Sequence, residues 1–291
     1  MKKVFLAFAI FSSGLFTYSQ EKLPIDKEKE VDEIIDSLLE NDILDELIQG
    51  VNNFKFLYVS VDYNSDTYFS GRDIGIDQYN IRPQITYMHS KGYMFSLSGI
   101  YYNEFVPKWD YTAASIGYSK SLGKNKLFRL YAIGSRYFYS NGVNNPFHYA
   151  LTLGSGITNK QRTIGTQLSG TYLFGNDQSF QITSTSYASF KLLKTKKSSL
   201  KLKPELNIVA GKQTFELAQT TIINGVPVTN YLENNVFNLI NTQINIPLEF
   251  STNSFEFEFG YNINLPSAIG TESNLNTTGF FNFSIAYLFD L

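Results

Sequence analysis

The end of the chain, from Phe281 to Leu291, alternates between apolar positions and positions that are mostly small or polar. A period of two predicts a β-strand with one apolar face. Such a strand needs a partner on both edges and a non-aqueous surface for its aromatic side chains, and a closed barrel in lipid supplies both. The residues on the apolar face are Phe281, Phe283, Ile285, Tyr287, Phe289 and Leu291.

This terminal strand resembles the assembly signal of Gram-negative, Bacteroidota-like outer-membrane β-barrel proteins. That family usually ends in Phe, whereas this chain ends in Leu291, with Phe289 two residues earlier. The resemblance is one of architecture and covers roughly Asn53 to Leu291. It implies contact with outer-membrane lipid and with the barrel-assembly machinery, and it carries no site residues with it.

From Asn53 onward the pattern predicts an all-β, up-and-down antiparallel transmembrane barrel of about twelve strands. Short and longer connections alternate between the strands, as they do between the periplasmic turns and outer loops of such barrels. An even number of strands places both termini in the periplasm. The predicted strands span 54–63, 78–88, 93–103, 110–121, 126–139, 147–158, 162–174, 179–193, 199–212, 235–250, 255–264 and 278–290.

The predicted connections differ in composition as well as in length. The short ones hold the Gly, Asn, Ser and Lys residues that tight turns favour. They are 89–92, 122–125, 159–161, 194–198 and 251–254, and the longer ones are 64–77, 104–109, 140–146, 175–178, 213–234 and 265–277.

Alternation within two late strands indicates which side chains face lipid. In 236–250 the even positions, including Ile240, are mostly apolar, and in 255–265 the odd positions are apolar. Glu256 and Glu258 lie on the opposite face, and exposing them to lipid would cost about 2–4 kcal/mol or somewhat less each, so we expect them in the lumen. Arg129 and Arg136 have opposite parity on one strand, which requires a bulge or a side chain that reaches the membrane interface.

The predicted lumen carries both signs of charge. The carboxylates there could form an acid pair or a cation site, but cross-strand ion pairs with lysines of the same parity are the favoured interpretation. The predicted lumen-lining residues are Lys191, Lys201, Lys203, Glu205, Gln243, Asn245, Glu249, Glu256, Glu258 and Asn262.

Aromatic residues concentrate at the predicted strand ends, which indicates two girdles at the membrane interfaces. The outer girdle comprises Tyr101, Tyr102, Trp109, Tyr111, Tyr137, Phe138, Tyr139, Phe147, Tyr149, Tyr172 and Phe174. The periplasmic girdle comprises Phe54, Phe56, Tyr87, Tyr93, Phe95, Tyr118, Phe190, Phe250, Phe255, Tyr287 and Phe289.

The N-terminal part divides into two segments ahead of the barrel (53–291). Residues 1–19 have the charged start, apolar core and small-residue end of a cleaved signal peptide. Residues 20–52 are acidic, and within them 26–49 has the spacing of an amphipathic helix. This helix is expected in the periplasm, where it could lie against the barrel mouth, plug the lumen, or bind a periplasmic or outer-membrane protein partner.

Composition supports this class and excludes others. The chain is 16% aromatic and 17% charged, it has no cysteine, and its mean hydropathy is −0.15. No apolar run after residue 20 is long enough for a transmembrane helix. Residues 21–49 hold eleven acidic and three basic residues, a net charge of −8, whereas Gly50 onward holds 19 basic and 15 acidic residues, a net of +4. This charge is too small to indicate nucleic-acid binding.

Candidate chemistry is sparse, and no cofactor or metal site is predicted. Ser140 and His148 near the outer rim could form a hydrolase pair, but they lack the compact arrangement of outer-membrane phospholipases. Asn64, Asp66 and Asp73 share one loop and could hold calcium, on spacing alone. The first hypothesis is therefore a non-enzymatic channel for small polar solutes. The alternatives are a non-conducting assembly component that docks a partner through 26–49, and a rim lipid hydrolase.

Overall fold

The computed structural model describes residues 55–291, apart from 69, 74, 124, 141–146, 196, 224–225, 253 and 269–274. For 213–236 it describes the backbone alone. The predicted signal peptide, the acidic segment and its helix lie outside the described residues. In the part of the chain that is described, no helix is long and apolar enough to cross a membrane.

The described residues form one closed antiparallel sheet. Consecutive strands pair from β1 to β8 and from β11 to β14, and β1 pairs with β14. β11 closes the ring by pairing with both β8 and β12, while β9 and β10 form a hairpin that joins the sheet through β12. The strands are β1 (Lys55–Asn64), β2 (Asn80–His89), β3 (Tyr93–Tyr102), β4 (Trp109–Leu122), β5 (Phe128–Tyr139), β6 (Phe147–Thr158), β7 (Ile164–Gly175), β8 (Gln178–Ala188), β9 (Phe190–Lys194), β10 (Ser198–Leu202), β11 (Glu205–Ile223), β12 (Val226–Thr252), β13 (Phe255–Pro266) and β14 (Thr278–Asp290).

Two of the predicted strands are each interrupted once, so fourteen segments make a twelve-strand barrel. Ser189 separates β8 from β9, and Lys203 with Pro204 separates β10 from β11. Proline has no N–H to donate to a ladder, which explains the second break. The prediction of about twelve antiparallel strands in a closed barrel is confirmed, and the last predicted strand matches β14 at both ends.

Two predicted connections are wrong. Residues 213–234 were expected to form a long loop, but their backbone continues β11 and β12 as a hairpin paired from Gln213↔Val236 to Ile223↔Val226. The expected longer loop at 175–178 is a two-residue turn between β7 and β8. Both errors arise because the polar residues of these segments are typical of loops, whereas their backbones hydrogen-bond in the sheet.

The barrel has two distinct ends. The turn end carries the connections 90–92, 123–127, 159–163, 195–197 and 253–254, together with Lys55 and Leu291. The loop end carries the connections 65–79, 103–108, 140–146, 176–177, 224–225 and 267–277.

The outward faces of the strands are apolar and the inward faces are polar. Leu97, Leu153 and Phe259 point outward and are more than half exposed, whereas the inward Thr86 and Asn262 are buried. The outward set in β13 and β14 agrees with the parity predicted from the sequence, including the inward placement of Glu256 and Glu258.

A bulge in β12 reverses the predicted parity for the residues that precede 241 in the chain. Val209 pairs with Asn241 but Ala210 pairs with Leu239, so Ile240 is the extra residue. Ile240 is buried and lines the lumen, contrary to the prediction, while Phe237 and Leu239 are exposed on the outside.

The two arginines of β5 keep opposite faces without a bulge in that strand. Arg129 points inward, is buried, and lies over the Tyr131 ring at 5.3 Å. Arg136 is exposed on the outer wall near the loop end, with its guanidinium 4.8 Å from the Phe138 ring centroid and 5.6 Å from that of Tyr149. The outward charge of Arg136 thus lies against two aromatic rings, which stabilise it through cation–π contacts.

The predicted aromatic girdles are only partly outward. At the turn end most of the predicted rings face out, but Phe56 points inward and is buried. At the loop end Tyr102, Tyr111, Tyr137 and Tyr139 pair in register with inward residues and line the lumen. The remaining outward rings there pack together, as Tyr149, Tyr172 and Phe174 do.

Candidate functional site

A buried charged cluster, the Lys203 cluster, fills the lumen near the turn end. Lys203 is fully buried, and its Nζ lies 3.2 Å from Glu205 Oε1 and 3.8 Å from Glu249 Oε1. The same ammonium group lies 5.0 Å from the centroid of the Tyr187 ring. One lysine therefore links β8, β11 and β12 across the inside of the wall.

The interruption of the wall places Lys203 at this point. Its backbone N–H donates to Pro247 O at 3.1 Å, while Ala188 N donates to Pro204 O at 3.0 Å. The chain thus passes from the β9–β10 hairpin to β11 while it keeps backbone hydrogen bonds to both β12 and β8. Lys201 lies one step nearer the turn end, opposite Glu249 in register, and is also buried.

Four carboxylates surround these two lysines. Glu249 pairs in register with Glu258, and Glu258 accepts a hydrogen bond from the Asn282 side chain. Glu249 Oε2 and the Oε2 of the buried Glu256 have no hydrogen-bond partner among the described residues. The cluster of Lys201, Lys203, Glu205, Glu249, Glu256 and Glu258 therefore carries more acid than base, which is costly in a buried site.

Apolar side chains complete the narrowing at the turn end. Phe56 and Met88 are each 2% exposed, and Leu288 is 7% exposed, all on inward positions. Like the residues of the Lys203 cluster, they are large inward side chains near the turn end, and they narrow the lumen there.

The middle of the lumen is lined by hydroxyl groups in cross-strand pairs. Thr86, Ser96, Ser115 and Ser135 follow one another in register across four strands. Thr86 and Ser96 are hydrogen-bonded at 2.8 Å, and so are Ser115 and Ser135. On the strands that follow around the barrel, Thr152 bonds Thr171 at 2.9 Å and Thr185 donates to Asn207 at 2.6 Å. Apart from the buried Thr86, these side chains are partly accessible, so this section of the lumen is polar and can admit water.

A cavity of about 390 Å³ lies at the loop end, between the lumen wall and the β1–β2 connection. Its volume falls in the range of small-molecule pockets. Six carboxamide side chains line it: Asn64, Asn80, Gln181, Asn241, Gln243 and Asn264. Several hold one another in place, since Asn241 Nδ2 and Gln243 Nε2 both donate to Asn264 Oδ1, at 3.1 and 3.0 Å. Arg82 also lines the cavity and is exposed within it.

The β1–β2 connection (65–79) folds over the mouth of the barrel. Thr67 and Gln78 are buried, and Arg72 Nη2 donates to Ser267 O at 2.7 Å across the opening. Asp66 organises the connection by accepting bonds from Thr67 N at 2.8 Å and from Tyr68 Oη at 2.9 Å. The mouth is therefore narrowed by a loop as well as by the wall.

The remaining predicted lumen residues lie in three different regions of the barrel. Asn245 pairs with Glu205 on one side and with Asn262 on the other, and Asn262 Nδ2 donates to Asn282 Oδ1 at 2.9 Å. Lys191 lies opposite Lys201 in register but is exposed at the turn end, outside the Lys203 cluster. Gln243 lines the loop-end cavity rather than the turn end.

The residues considered for a hydrolase pair and for a calcium site make hydrogen bonds within the loop end. His148 Nε2 lies 3.4 Å from Asn176 Nδ2, while Ser140 N donates to Asp110 O at 2.8 Å. The proposed calcium ligand Asp73 accepts a bond from Gly75 N at 2.7 Å, which closes a turn. Among the described residues, no group of three or more His, Cys, Asp or Glu is arranged to hold a metal ion.

Sequence reasoning missed the loop-end cavity, although one signal was present. Asn80, Arg82, Gln84 and Thr86 alternate with apolar residues along β2, and this parity alone would have placed Arg82 in the lumen. The inward fold of the β1–β2 connection had no comparable signal.

Comparison with solved structures finds other barrels. The KdgM porin is 11% identical, with a TM-score of 0.43, covering 80% of this chain and 98% of the porin. The NanC porin is 9% identical, with a TM-score of 0.45, covering 79% and 98%. The COG4313 outer-membrane channel from Pseudomonas putida F1 is 11% identical, with a TM-score of 0.40, covering 81% and 95%. Similarity of this size concerns architecture alone.

No family profile matches the chain, and no curated protein matches it in sequence.

Proposed function

We propose that this chain is an outer-membrane β-barrel that provides a narrow channel for small polar solutes. The observation that carries this proposal is the polar lining of most of the lumen. Carboxamides line the loop-end cavity, hydroxyl pairs line the middle, and the Lys203 cluster lies at the turn end.

The outer wall supports placement in a membrane. Large apolar side chains such as Leu97 on β3, Ile116 on β4 and Leu153 on β6 are each more than half exposed. Soluble monomers rarely expose a continuous apolar patch of more than about 300–600 Å². A lipid-facing wall with a polar interior is the arrangement expected of an outer-membrane barrel, with the turn end and both termini in the periplasm.

The charge of the lumen favours neutral or cationic solutes over anions. Inward cations are Arg82, Arg129, Lys201 and Lys203, and inward carboxylates are Asp62, Glu205, Glu249, Glu256 and Glu258. The small acidic excess lies at the narrowest section, where field lines concentrate in a low-dielectric wall. An anionic solute would meet this excess before leaving the turn end.

Single-channel conductance in planar bilayers tests the proposal. The refolded full chain should give small, steady conductance with a reversal potential that indicates cation preference. Replacing Lys203 and Glu249 together by Ala should increase the conductance, because both side chains fill the narrow section. Ser184→Ala, on the outer wall, is the matched control and should leave conductance unchanged. Silence from the folded full chain, from the double variant and from a barrel without 26–49 would exclude the channel.

A second candidate is a non-conducting component of an outer-membrane assembly. The tight filling of the turn end by Phe56, Met88 and Lys203 favours it. In that case neither the full chain nor the double variant would conduct, and deleting 26–49 would release a protein partner. A plug formed by 26–49 would instead give conductance only after that deletion.

A further inference from the structure

The turn end of the barrel carries a rim of basic side chains, the basic rim. Its members are exposed except for the half-buried Arg162, and they come from four of the five turn connections and from neighbouring strand ends. They are Lys55, Lys91, Lys120, Lys126, Lys160, Arg162, Lys191, Lys194 and Lys197.

Acidic residues are almost missing from this end. The five turn connections contain no Asp or Glu in sequence, and among the described residues Asp290 is the exposed carboxylate beside them, since Glu249 and Glu256 are buried in the lumen. The loop end is different, because Asp66, Asp73, Asp77, Glu104 and Asp177 lie in its connections. Charge is therefore separated along the barrel axis.

Apolar side chains are exposed next to the basic rim. Phe190, Leu192 and Leu193 of β9 are 54%, 55% and 57% exposed. The register pairs β9 with β10 on one side, and no other ladder is formed by β9 within the described residues. Through β10, Phe190 and Leu193 lie in register with the outward Leu248 and Phe250, so this apolar surface is the outer wall at the turn end. It ends beside the basic rim in an unpaired strand edge, which is an incomplete surface.

The segment that precedes β1 has the complementary chemistry. Residues 21–49 have a net charge of −8, and their apolar residues recur at helical spacing. The chain enters the barrel at Lys55, itself a member of the basic rim. We propose that the acidic segment 21–49 docks across the basic rim of its own barrel, with its apolar residues against the exposed edge of β9.

Tethering favours this partner over others. Residues 50–54 reach about 17 Å when extended, which keeps the acidic segment beside the rim. A short flexible link gives an effective concentration on the order of millimolar, so moderate attraction is enough for docking. Turn residues such as Lys91, Lys126 and Lys160 lie beyond the strand ends, where a periplasmic segment can meet them. Anionic lipid headgroups would repel the segment itself.

Zero-length carbodiimide cross-linking of the full chain, refolded in phosphatidylcholine vesicles, tests the docking. We expect amide cross-links between acids of 21–49 and Lys91, Lys126, Lys160 or Lys197. Their yield should fall about tenfold between about 0.02 M and about 0.5 M salt, because screening shortens the range of surface charges. Lys108 at the loop end is the internal control and should form no such cross-link.

Charge substitution in the segment leaves the barrel sequence intact and so separates docking from folding. Glu28→Gln, Glu30→Gln, Asp32→Asn and Glu33→Gln together should reduce rim cross-links several-fold. The reciprocal set Lys91→Glu, Lys126→Glu, Lys160→Glu and Lys197→Glu should do the same. Adding Glu28→Lys, Glu30→Lys, Asp32→Lys and Glu33→Lys to this rim variant should restore the cross-links between segment and rim.

Three outcomes would overturn docking on the rim. Cross-links to Lys201 or Lys203 would place the segment in the lumen. A folded barrel without intramolecular cross-links would show that the segment is free or waits for a protein partner. Loss of rim cross-links when phosphatidylglycerol replaces part of the phosphatidylcholine would show that the rim binds anionic lipid instead. None of these readouts depends on whether the barrel conducts.

Discussion

Gly71 of the β1–β2 connection lies directly against the side chain of Asn241 on β12. A Cβ atom at position 71 would be 2.5 Å from Asn241 Oδ1, and the residue has a φ of 78°. Thr278 Oγ1 donates to Gly71 O at 2.9 Å. The connection is thus held to the lumen wall at a point that only glycine fits, far from the strands that it joins.

Gly71→Ala should release the connection from the mouth. The substitution adds the clash with Asn241 to the strain of a positive φ, which alone costs on the order of 1 kcal/mol. Cleavage by trypsin after Arg72 in the folded barrel should accelerate roughly tenfold or more, since it reports the open population.

Gly75→Ala is the matched control for that experiment. Gly75 has a similar φ of 75°, but a Cβ there would have no atom within 4 Å. Gly75→Ala should therefore show the effect of backbone strain alone, with trypsin cleavage about fivefold faster than in the native chain. Equal rates for the two variants would contradict the contact with Asn241.

Lys203→Met should destabilise the barrel by about 3–5 kcal/mol, because it leaves Glu205 and Glu249 buried without their cation. Guanidinium unfolding in lipid vesicles, followed by the fluorescence of the single Trp109, measures the change. Adding Glu205→Gln and Glu249→Gln should recover most of the loss. The exposed Lys191→Met should change stability by less than about 0.5 kcal/mol. A small effect of Lys203→Met would mean that the cluster is hydrated.

Gly99→Ala should move the indole of Trp109 on the outer wall. A Cβ at position 99 would be 2.2 Å from Trp109 Cζ2, so the ring lies flat on the glycine. We expect a shifted emission maximum in a barrel that still folds. Gly134→Ala, with its nearest neighbour Ile116 Cγ2 at 4.0 Å, should leave the spectrum unchanged. An unshifted spectrum for Gly99→Ala would contradict the contact.

Tyr68 should titrate late in the folded barrel. Burial and the hydrogen bond that Tyr68 donates to Asp66 raise the pKa of this phenol from 10.0 to about 12. Because the folded-state pKa is the higher one, the stabilisation is complete below about pH 10 and is lost as the pH rises through about 12. The difference in alkaline tyrosinate absorbance between the native chain and Tyr68→Phe measures it. Asp66→Asn should move the midpoint toward 10, and a midpoint already at 10 in the native chain would contradict the buried contact.

Residue parity predicted most of the fold because lipid and lumen demand opposite side chains. The strand from Phe281 to Phe289 and the inward position of Glu256 and Glu258 followed directly from alternation. Strand ends followed from turn residues, which have strong local preferences.

Features that depend on distant contacts could not be predicted in this way. The bulge at Ile240 exchanges the inward and outward positions of β12, and no Gly or Pro next to it in the sequence indicates a bulge. The inward fold of 65–79 depends on Asn241, Ser267 and Thr278, all more than 160 residues away along the chain. Lys203 was placed in the lumen by parity, but its central role follows from the break at Pro204.

The paired hydroxyls in the middle of the lumen have a consequence for selectivity. A Ser or Thr hydroxyl can donate and accept through the same oxygen, and its hydrogen rotates to suit the neighbour. In the proposed channel, a solute would therefore find a partner whatever its own pattern of donors and acceptors. A wall built from Thr86, Ser96, Ser115 and Ser135 would then act as a sieve that sorts solutes by width, and not as a receptor that recognises one molecule.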